Sequence, residues 1–314
     1  MGRYLLHRLF SAIPILCIVS LLSFLIIFLV PGDPASEIAG PGANQEEVTR
    51  IRQSLGLDQS VAVQMVAYYG RLFKGDLGQS ILLNRSVLTA IAERAPVTLS
   101  LTALALLFSL SFAVVLGVIA AVRQNTWVDQ SAMTVALLGL SLPDFWLGLV
   151  MIYVFAVLLG WFPTGGYVEL SKGIRPWLSS LVMPALALGA AQLGLLARIT
   201  RATMLEVLRQ DYVRTARAKG LPEWRIIDRH ALANTLIPVV TVVGLIVGIL
   251  LGGAVVVEQV FALPGVGRLI IGAILRRDYP VIQGGLLLTA TIFVFVNIAV
   301  DIVYAWLDPR VHYE

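Results

Sequence analysis

Six apolar stretches, near residues 9 to 30, 96 to 122, 131 to 159, 179 to 197, 235 to 257 and 284 to 307, leave this chain few alternatives. Crossing a bilayer takes roughly 20 mostly apolar residues in a helix, because each backbone N–H and C=O in hydrocarbon must find its partner within the segment. The chain is therefore read as an all-α integral membrane protein with six transmembrane helices. Composition agrees, since 58% of the 314 residues are hydrophobic and only 13% are charged, against roughly a quarter charged in soluble domains. A net charge of +4 is too small and too dispersed to point to nucleic acid. The first stretch, Leu9 to Val30 behind Arg3 and Arg8, exceeds the roughly 7–15 residues of a signal-peptide core and is read as a retained helix. Cys17 lies inside it, reads as packing filler and, being the lone cysteine, allows no intramolecular disulfide. Pro143 with Asp144 in the third stretch and Pro184 in the fourth predict breaks that neighbouring helices must satisfy.

Basic residues orient the spans. With both termini in the cytoplasm, the inside segments hold 12 Lys and Arg in about 60 positions and the outside segments 11 in about 110, as the positive-inside rule requires. The loop 198–234 contributes most, with Arg198, Arg201, Arg209, Arg214, Arg217, Lys219, Arg225 and Arg229. Three regions follow: a tail and first helix over 1–30, an extracytoplasmic subdomain over 31–95, and a core over 96–314 that carries helices 2–6. In the subdomain, Glu46 to Leu55 and Val61 to Phe73 have helical apolar spacing, and Gly75, Asp76 and Gly78 read as a turn. Sixty-odd residues make a poor independent core, so this region is expected to pack on membrane helices.

Several chemistries lack their residues. The lysines, Lys74, Lys172 and Lys219, follow Phe, Ser and Ala, so no Gly-Lys phosphate loop exists. His7, His230 and His312 are far apart and none begins a zinc-protease motif. Gly78-Gln79-Ser80-Ile81-Leu82 lacks the second glycine of a nucleophile elbow. Energy for transport must then enter through ion coupling in this chain or through another subunit. The carboxylates at membrane depth are Asp144 and Asp301. Asp144 either lines an aqueous passage or caps the helix that starts at Phe145, and Asp301 is placed to pair with Arg310 or with a loop arginine near the cytoplasmic surface. Two isolated carboxylates make a weak relay, which leaves a secondary transporter as the runner-up.

From Thr200 to Lys219 the chain reads as one helix ended by Gly220, and a second helix starts after Leu221 with Pro222 at its first position. Leu205, Leu208, Tyr212 and Ala216 form a stripe, with Arg209, Asp211, Arg214 and Arg217 on other faces. A charged helical hairpin of this kind either docks on a protein or merely fixes topology against anionic lipid.

The segment Asp211-Tyr212-Val213-Arg214-Thr215-Ala216-Arg217-Ala218-Lys219-Gly220-Leu221 resembles the EAA loop of binding-protein-dependent ABC permeases, in the form of the dipeptide, oligopeptide and nickel branch. Similar to that branch as well are Pro31-Gly32-Asp33-Pro34, Gly75-Asp76-Leu77-Gly78, Ser141-Leu142-Pro143-Asp144-Phe145-Trp146-Leu147-Gly148 and Phe162-Pro163-Thr164-Gly165-Gly166-Tyr167. So are Pro264-Gly265-Val266-Gly267, Asp278 to Gly284 and Asp308-Pro309-Arg310. The general EAA glutamate is replaced here, because Arg214-Thr215-Ala216 stands in its place, and Thr235-Leu236-Ile237-Pro238 follows later than the general pattern sets it.

The resemblance implies a type I ABC importer permease, the first of two permease subunits in a bacterial inner membrane. It implies as partners a second permease, two ATPases that hold ATP and Mg2+, an extracytoplasmic solute-binding protein, and a peptide, glutathione-like, opine or nickel-chelate solute, with no cofactor or metal on this chain. ATPase coupling falls to Asp211, Tyr212, Arg214, Thr215, Ala216, Arg217, Ala218, Lys219, Gly220 and Leu221. Pathway candidates are Ser141, Pro143, Asp144 and Phe145 at the broken helix and Gly244, Gly248 and Gly252 on the fifth span, although glycines at four-residue spacing equally suit close helix packing. Pro264-Gly265-Val266-Gly267 reads as an outside turn beneath the binding protein, next to a short re-entrant element.

The orientation predicts that a cysteine introduced at Ser60 reacts with a membrane-impermeant maleimide from the extracytoplasmic side. Labelling from the cytoplasmic side alone reverses the assignment.

Overall fold

The computed structural model describes residues 2–29, 32–40, 42–54 and 56–307. Five helical runs are long and apolar enough to cross a membrane: Phe10–Leu29, Val87–Val122, Ile174–Leu208, Glu223–Val260 and Tyr279–Ile302. The sixth is a pair, Trp127–Ser141 and Asp144–Leu158, bent by 103° at its break. The expected all-helical membrane architecture is therefore present. Pro31, in the motif after the first span, and Asp308-Pro309-Arg310, the last being one expected partner of Asp301, lie outside the described residues.

In chain order the elements are α1 (Gly2–Leu29), α2 (Pro34–Ala39), α3 (Gln45–Ser54) and α4 (Val61–Leu72), then strands β1 (Gln79–Ser80) and β2 (Arg85–Ser86). There follow α5 (Val87–Ala92), α6 (Ala95–Val122), α7 (Trp127–Ser141), α8 (Asp144–Met151) with a π-helical continuation over Ile152–Leu158, and α9 (Ile174–Leu208). The remainder is α10 (Asp211–Ala218), α11 (Glu223–Arg225) with a π-helical turn over Ile226–Leu232, α12 (Ala233–Val260), α13 (Val266–Leu275) and α14 (Tyr279–Leu307). The chain divides into two compact units.

One unit joins residues 2–96 to 265–294. The helices expected over Glu46 to Leu55 and Val61 to Phe73 are present as α3 and α4. Asp33 caps α2 by accepting from the Ser36 amide at 3.1 Å, and it pairs with Arg52 of α3 at 2.7 Å. The Ser36 hydrogen bonds, reinforced by Arg52, hold its carboxyl below the usual range. Gln79 and Ser80 pair antiparallel with Ser86 and Arg85. The buried Asp278 anchors this hairpin, accepting from Ser80 Oγ at 2.5 Å and from the Leu82 amide at 3.3 Å. Two apolar clusters hold the unit: Val87 and Ile91 with Val266, Ala273, Val281 and Ile282, and Phe24 with Tyr68 and Leu287. Cys17, expected as packing filler, is exposed.

The other unit spans 97–264 with the chain from Phe295 onward. Its core is built on α9, whose buried face runs from Ser180 to Val207. Pro184 does not break α9, contrary to expectation. The helix passes through it for 35 residues with Pro184 itself buried, a loss of one backbone bond that membrane helices tolerate. Pro143 does break its span. Leu142, forced out of the helical region by the ring that follows, is extended at φ −91° and ψ 129°. The Leu142 amide closes α7 on Leu138 O, and the Leu147 amide opens α8 on Pro143 O.

Glycines set how near the helices come. A Cβ on Gly194 would strike the carbonyl oxygen of Ala136 in α7, one on Gly139 would lie 2.6 Å from Ala190 O, and one on Gly189 2.8 Å from Ala105 O. Gly194→Val should therefore force α7 and α9 apart and destabilise the protein by about 1–3 kcal/mol, the scale of core overpacking. Gly252→Ala, with open space at its Cβ, should leave the melting temperature unchanged or slightly raised. Thermal unfolding in detergent, followed by tryptophan fluorescence, checks the pair.

Candidate functional site

The hairpin differs from its sequence expectation in one respect. Thr200 to Lys219 is not one helix, because α9 ends at Leu208 and Gln210, extended at φ −68° and ψ 150°, starts α10. The Gln210 carbonyl then accepts from the amides of Val213 and Arg214, and Asp211 places a carboxylate at the positive end of the new helix. The interruption turns the predicted stripe. Val213 and Ala216 form the buried face of α10, packed with Ile226, Leu208 and Leu221, while Tyr212 is exposed.

Gly220 ends α10 as expected. It sits at φ +78°, its amide donates to Arg217 O, and the Leu221 amide donates to Ala216 O. These two bonds with a left-handed glycine make a Schellman closure, completed by the apolar contact of Leu221 with α10. Pro222 falls one place earlier than expected, as the extended residue before α11. The second arm then continues through α11 and the π-helical turn into α12 as a single run, Glu223–Val260.

The outer face of the hairpin is polar and bound to itself at its edges. Arg217 donates Nε to Glu223 Oε1 at 2.8 Å and an NH2 proton to Oε2 at 3.3 Å, hydrogen bonding that raises the Arg217 pKa above its ordinary value. Arg214 lies 3.5 Å from Asp211 with both largely exposed. Thr215, Ala218 and Lys219 are exposed as well. The Tyr212 hydroxyl accepts from Asn234 Nδ2 at 2.8 Å and donates to His230 O at 3.3 Å, tying α10 to the start of α12. Of the sequence candidates, then, Ala216 and Leu221 face the hairpin's own packing and the others face outward.

The pathway candidates meet in part. Ser141, Pro143 and Phe145 are exposed and Asp144 is half-buried at the break. Asp144 is the first residue of α8, and a Cβ on Gly253 of α12 would lie 3.3 Å from its Oδ2. The broken helix and α12 thus come together at Gly253, which sequence reasoning passed over. Gly244 is closely packed, since its Cβ would lie 2.9 Å from Asn297 Oδ1. Gly248 is half-buried and Gly252 open.

Phe261 was also missed as a centre. Buried, it has Gly148 of α8 on one side, where a Cβ would lie 2.9 Å from its ring, and its carbonyl accepts from the Gly166 amide at 2.8 Å. Two further carboxylates in the helices of this unit, Glu258 and Asp129, are hydrogen-bonded. Glu258 accepts from Thr98 Oγ1 at 2.5 Å. Asp129 of α7 receives Arg201 of α9 as a fork, Nε to Oδ1 at 2.6 Å and NH2 to Oδ2 at 2.7 Å, with the Asn125 amide on Oδ2 at 3.0 Å. Asp129 and Arg201 fall just outside the apolar runs, in charged connectors, and nothing in the sequence marks them as partners. Among the described residues no three His, Cys, Asp or Glu side chains are grouped to hold a metal ion.

A family described as binding-protein-dependent transport system inner membrane component matches residues 113–313, and the N-terminal part of such membrane components matches residues 1–102. A putative peptide transport system permease protein of Brucella suis biovar 1 is 50% identical over 314 residues, the full length of both chains. A glutathione transport system permease protein of Escherichia coli O6:H1 is 45% identical over 314 residues, again all of both. A probable peptide ABC transporter permease protein of Sinorhizobium fredii is 40% identical over 313 residues and the whole of each chain.

The fork between Arg217 and Glu223 predicts a double-mutant cycle. Arg217→Glu should speed amide exchange across residues 211–226 by setting two carboxylates face to face, and Arg217→Glu with Glu223→Arg should restore much of the protection. The cycle is read by hydrogen–deuterium exchange mass spectrometry.

Proposed function

Because the chain belongs to the binding-protein-dependent transport system inner membrane components, we propose that it imports di- or oligopeptides, or glutathione, and takes its energy through α10. The chain is a membrane permease subunit of an ABC importer for peptides or related solutes, a transport component and not an enzyme. As such a subunit it carries no cofactor of its own. In the proposed assembly a second permease completes the passage, an extracytoplasmic binding protein delivers the solute, and two ATPases bind ATP and Mg2+. Both termini lie in the cytoplasm, so that the hairpin faces the ATPases.

The observation that carries the coupling role is the two-sided build of α10. Its underside, Val213 and Ala216, is packed on Leu208 and Ile226, at the ends of the two long helical runs. Its outside offers Asp211, Arg214, Thr215, Ala218 and Lys219. A short helix fastened beneath and charged above suits docking on a soluble partner more than contact with lipid. Arg214 and Lys219 are the better charge partners for an ATPase, since Arg217 is engaged by Glu223. The passage is assigned to the break at Ser141, Pro143, Asp144 and Phe145 together with α12. Gly244 serves close packing, and Gly252, with open space at its Cβ, suits the passage better.

Reconstitution tests this. Uptake of glutathione and of alanyl-alanine into proteoliposomes should require the ATPase pair and the binding protein, and the chain by itself should neither hydrolyse ATP nor transport. No atom lies within 4 Å of a Cβ at Gly220, so Gly220→Val acts through its φ of +78° alone, at a cost of roughly 1–2 kcal/mol. The variant should still assemble in part while solute-stimulated hydrolysis and uptake fall together. Normal coupling in Gly220→Val combined with Lys219→Glu would assign the hairpin to topology only.

A further inference from the structure

We infer that the ion pair between Asp129 and Arg201 is a positioning clamp that makes α7 and α9 move as one rod, carrying displacement of α10 to the break at Leu142 and Pro143. The inference rests on the coupling role proposed for α10. The pair joins residues 72 apart in sequence, one at the start of α7 and the other seven residues before α9 ends. Its Asp129 side chain is 5% exposed and its Arg201 side chain 26%.

Geometry separates this contact from ordinary packing. Along the rest of the seam the helices meet through Gly194 on Ala136 and Gly139 on Ala190, small-residue surfaces that bring backbones close but offer little resistance to sliding along the axis. A guanidinium fork on a carboxylate fixes distance and angle together, since two parallel bonds at 2.6 and 2.7 Å cannot both survive a shift of one helix past the other. The Asn125 amide holds the same carboxylate from the turn before α7, so Asp129 is not free to follow Arg201. Register is the best-attested use of a buried polar pair of this kind. What the clamp holds in register is consequential: α9 ends beside α10, and α7 ends at the 103° bend where Asp144 begins α8. With the fork closed, a push on α10 travels along α9 and α7 to the bend instead of being lost as slip between them. Arg201 and Asp129 are thus positioning residues, acting through the helices they join.

The test uses the complete complex, with its second permease and ATPases, in a Cys17→Ser background. Nitroxide labels are placed at the exposed positions Thr215 and Ser141, or Thr215 and Leu159, the last lying beyond the bend. Double electron–electron resonance is read before and after trapping with ATP and orthovanadate. Trapping should shift the Thr215–Leu159 distance by roughly 1–2 Å or more, the scale of helix shifts in switching transitions, and leave Thr215–Ser141 unchanged. In Asp129→Asn, and in Arg201→Lys, which keeps the charge but not the fork, trapping should shift and broaden Thr215–Ser141 as well. A purely structural pair would alter that distance without nucleotide or not at all. Thr215–Ser141 fixed in both variants, or already shifting in the unsubstituted complex, overturns the clamp while the coupling reading stands. If trapping moves neither pair, α10 is not the coupling element and both readings fall. Should neither variant assemble, the unsubstituted complex still decides, since a rod requires its Thr215–Ser141 distance to hold.

Discussion

Close approach of α9 to its neighbours is the constraint on which the core unit depends. In hydrocarbon, lipid tails are as apolar as leucine, so burying leucines gives helices little reason to associate, and association falls to tight packing and hydrogen bonds. The chain answers with glycines where backbones meet: Gly117 with its Cβ position 2.8 Å from Ala197 O, Gly189 on Ala105, Gly139 on Ala190 and Gly194 on Ala136. All four of these contacts bring a carbonyl to within reach of a neighbour that has no side chain to obstruct it. Helices α6 and α7 are thereby both set on the stretch of α9 from Gly189 to Ala197, and α8 and α12 of the same unit also pack on α9.

Buried charges follow a related rule. A carboxylate taken out of water is costly unless bonded, and the buried Asp129, Glu258 and Asp278 each have donors: an arginine fork, a threonine hydroxyl, and a serine with backbone amides. Asp144 differs, because it stands at the start of α8 and half-buried beside Gly253. The positive end of that helix favours it there. It stands at the bend beside α12, where the proposed passage is assigned, and the other three do not.

Much of this was legible in sequence, and the failures have physical causes. Span positions followed from length and apolarity, and the glycine closure of α10 from Gly220 alone, since few other residues adopt φ +78° cheaply. Pro184 and Pro143 carry the same local signal yet behave oppositely, because tertiary packing decides whether the freed carbonyl is tolerated. The stop at Leu208 was missed since Arg209 and Gln210 are both good helix formers, and the interruption comes from Val213 and Ala216 turning toward Ile226, a contact no local pattern contains. Phe261 was missed for the same reason. Fragments that looked separate in sequence, Asp144 to Gly148, Phe162 to Tyr167 and the segment before Pro264, converge on that ring and its carbonyl.

The chain path around α10 bears on how the proposed coupling is geared. Only Arg209 and Gln210 separate α9 from α10, and only Lys219 to Pro222 separate α10 from the run that becomes α12. Both connectors are short and hydrogen-bonded, the first through Gln210 O and the second through the Schellman closure. A helix so held cannot swing on a flexible tether, so a force on its outer face must load both long helices together. Both helices also reach the bend, α9 through its contact with α7 and α12 through Gly253 at Asp144. In the proposed coupling one short element therefore acts on both sides of the bend at once, and the bend, being the place where a proline has already removed the backbone hydrogen bonds that stiffen a helix, is where the two loads are most easily relieved.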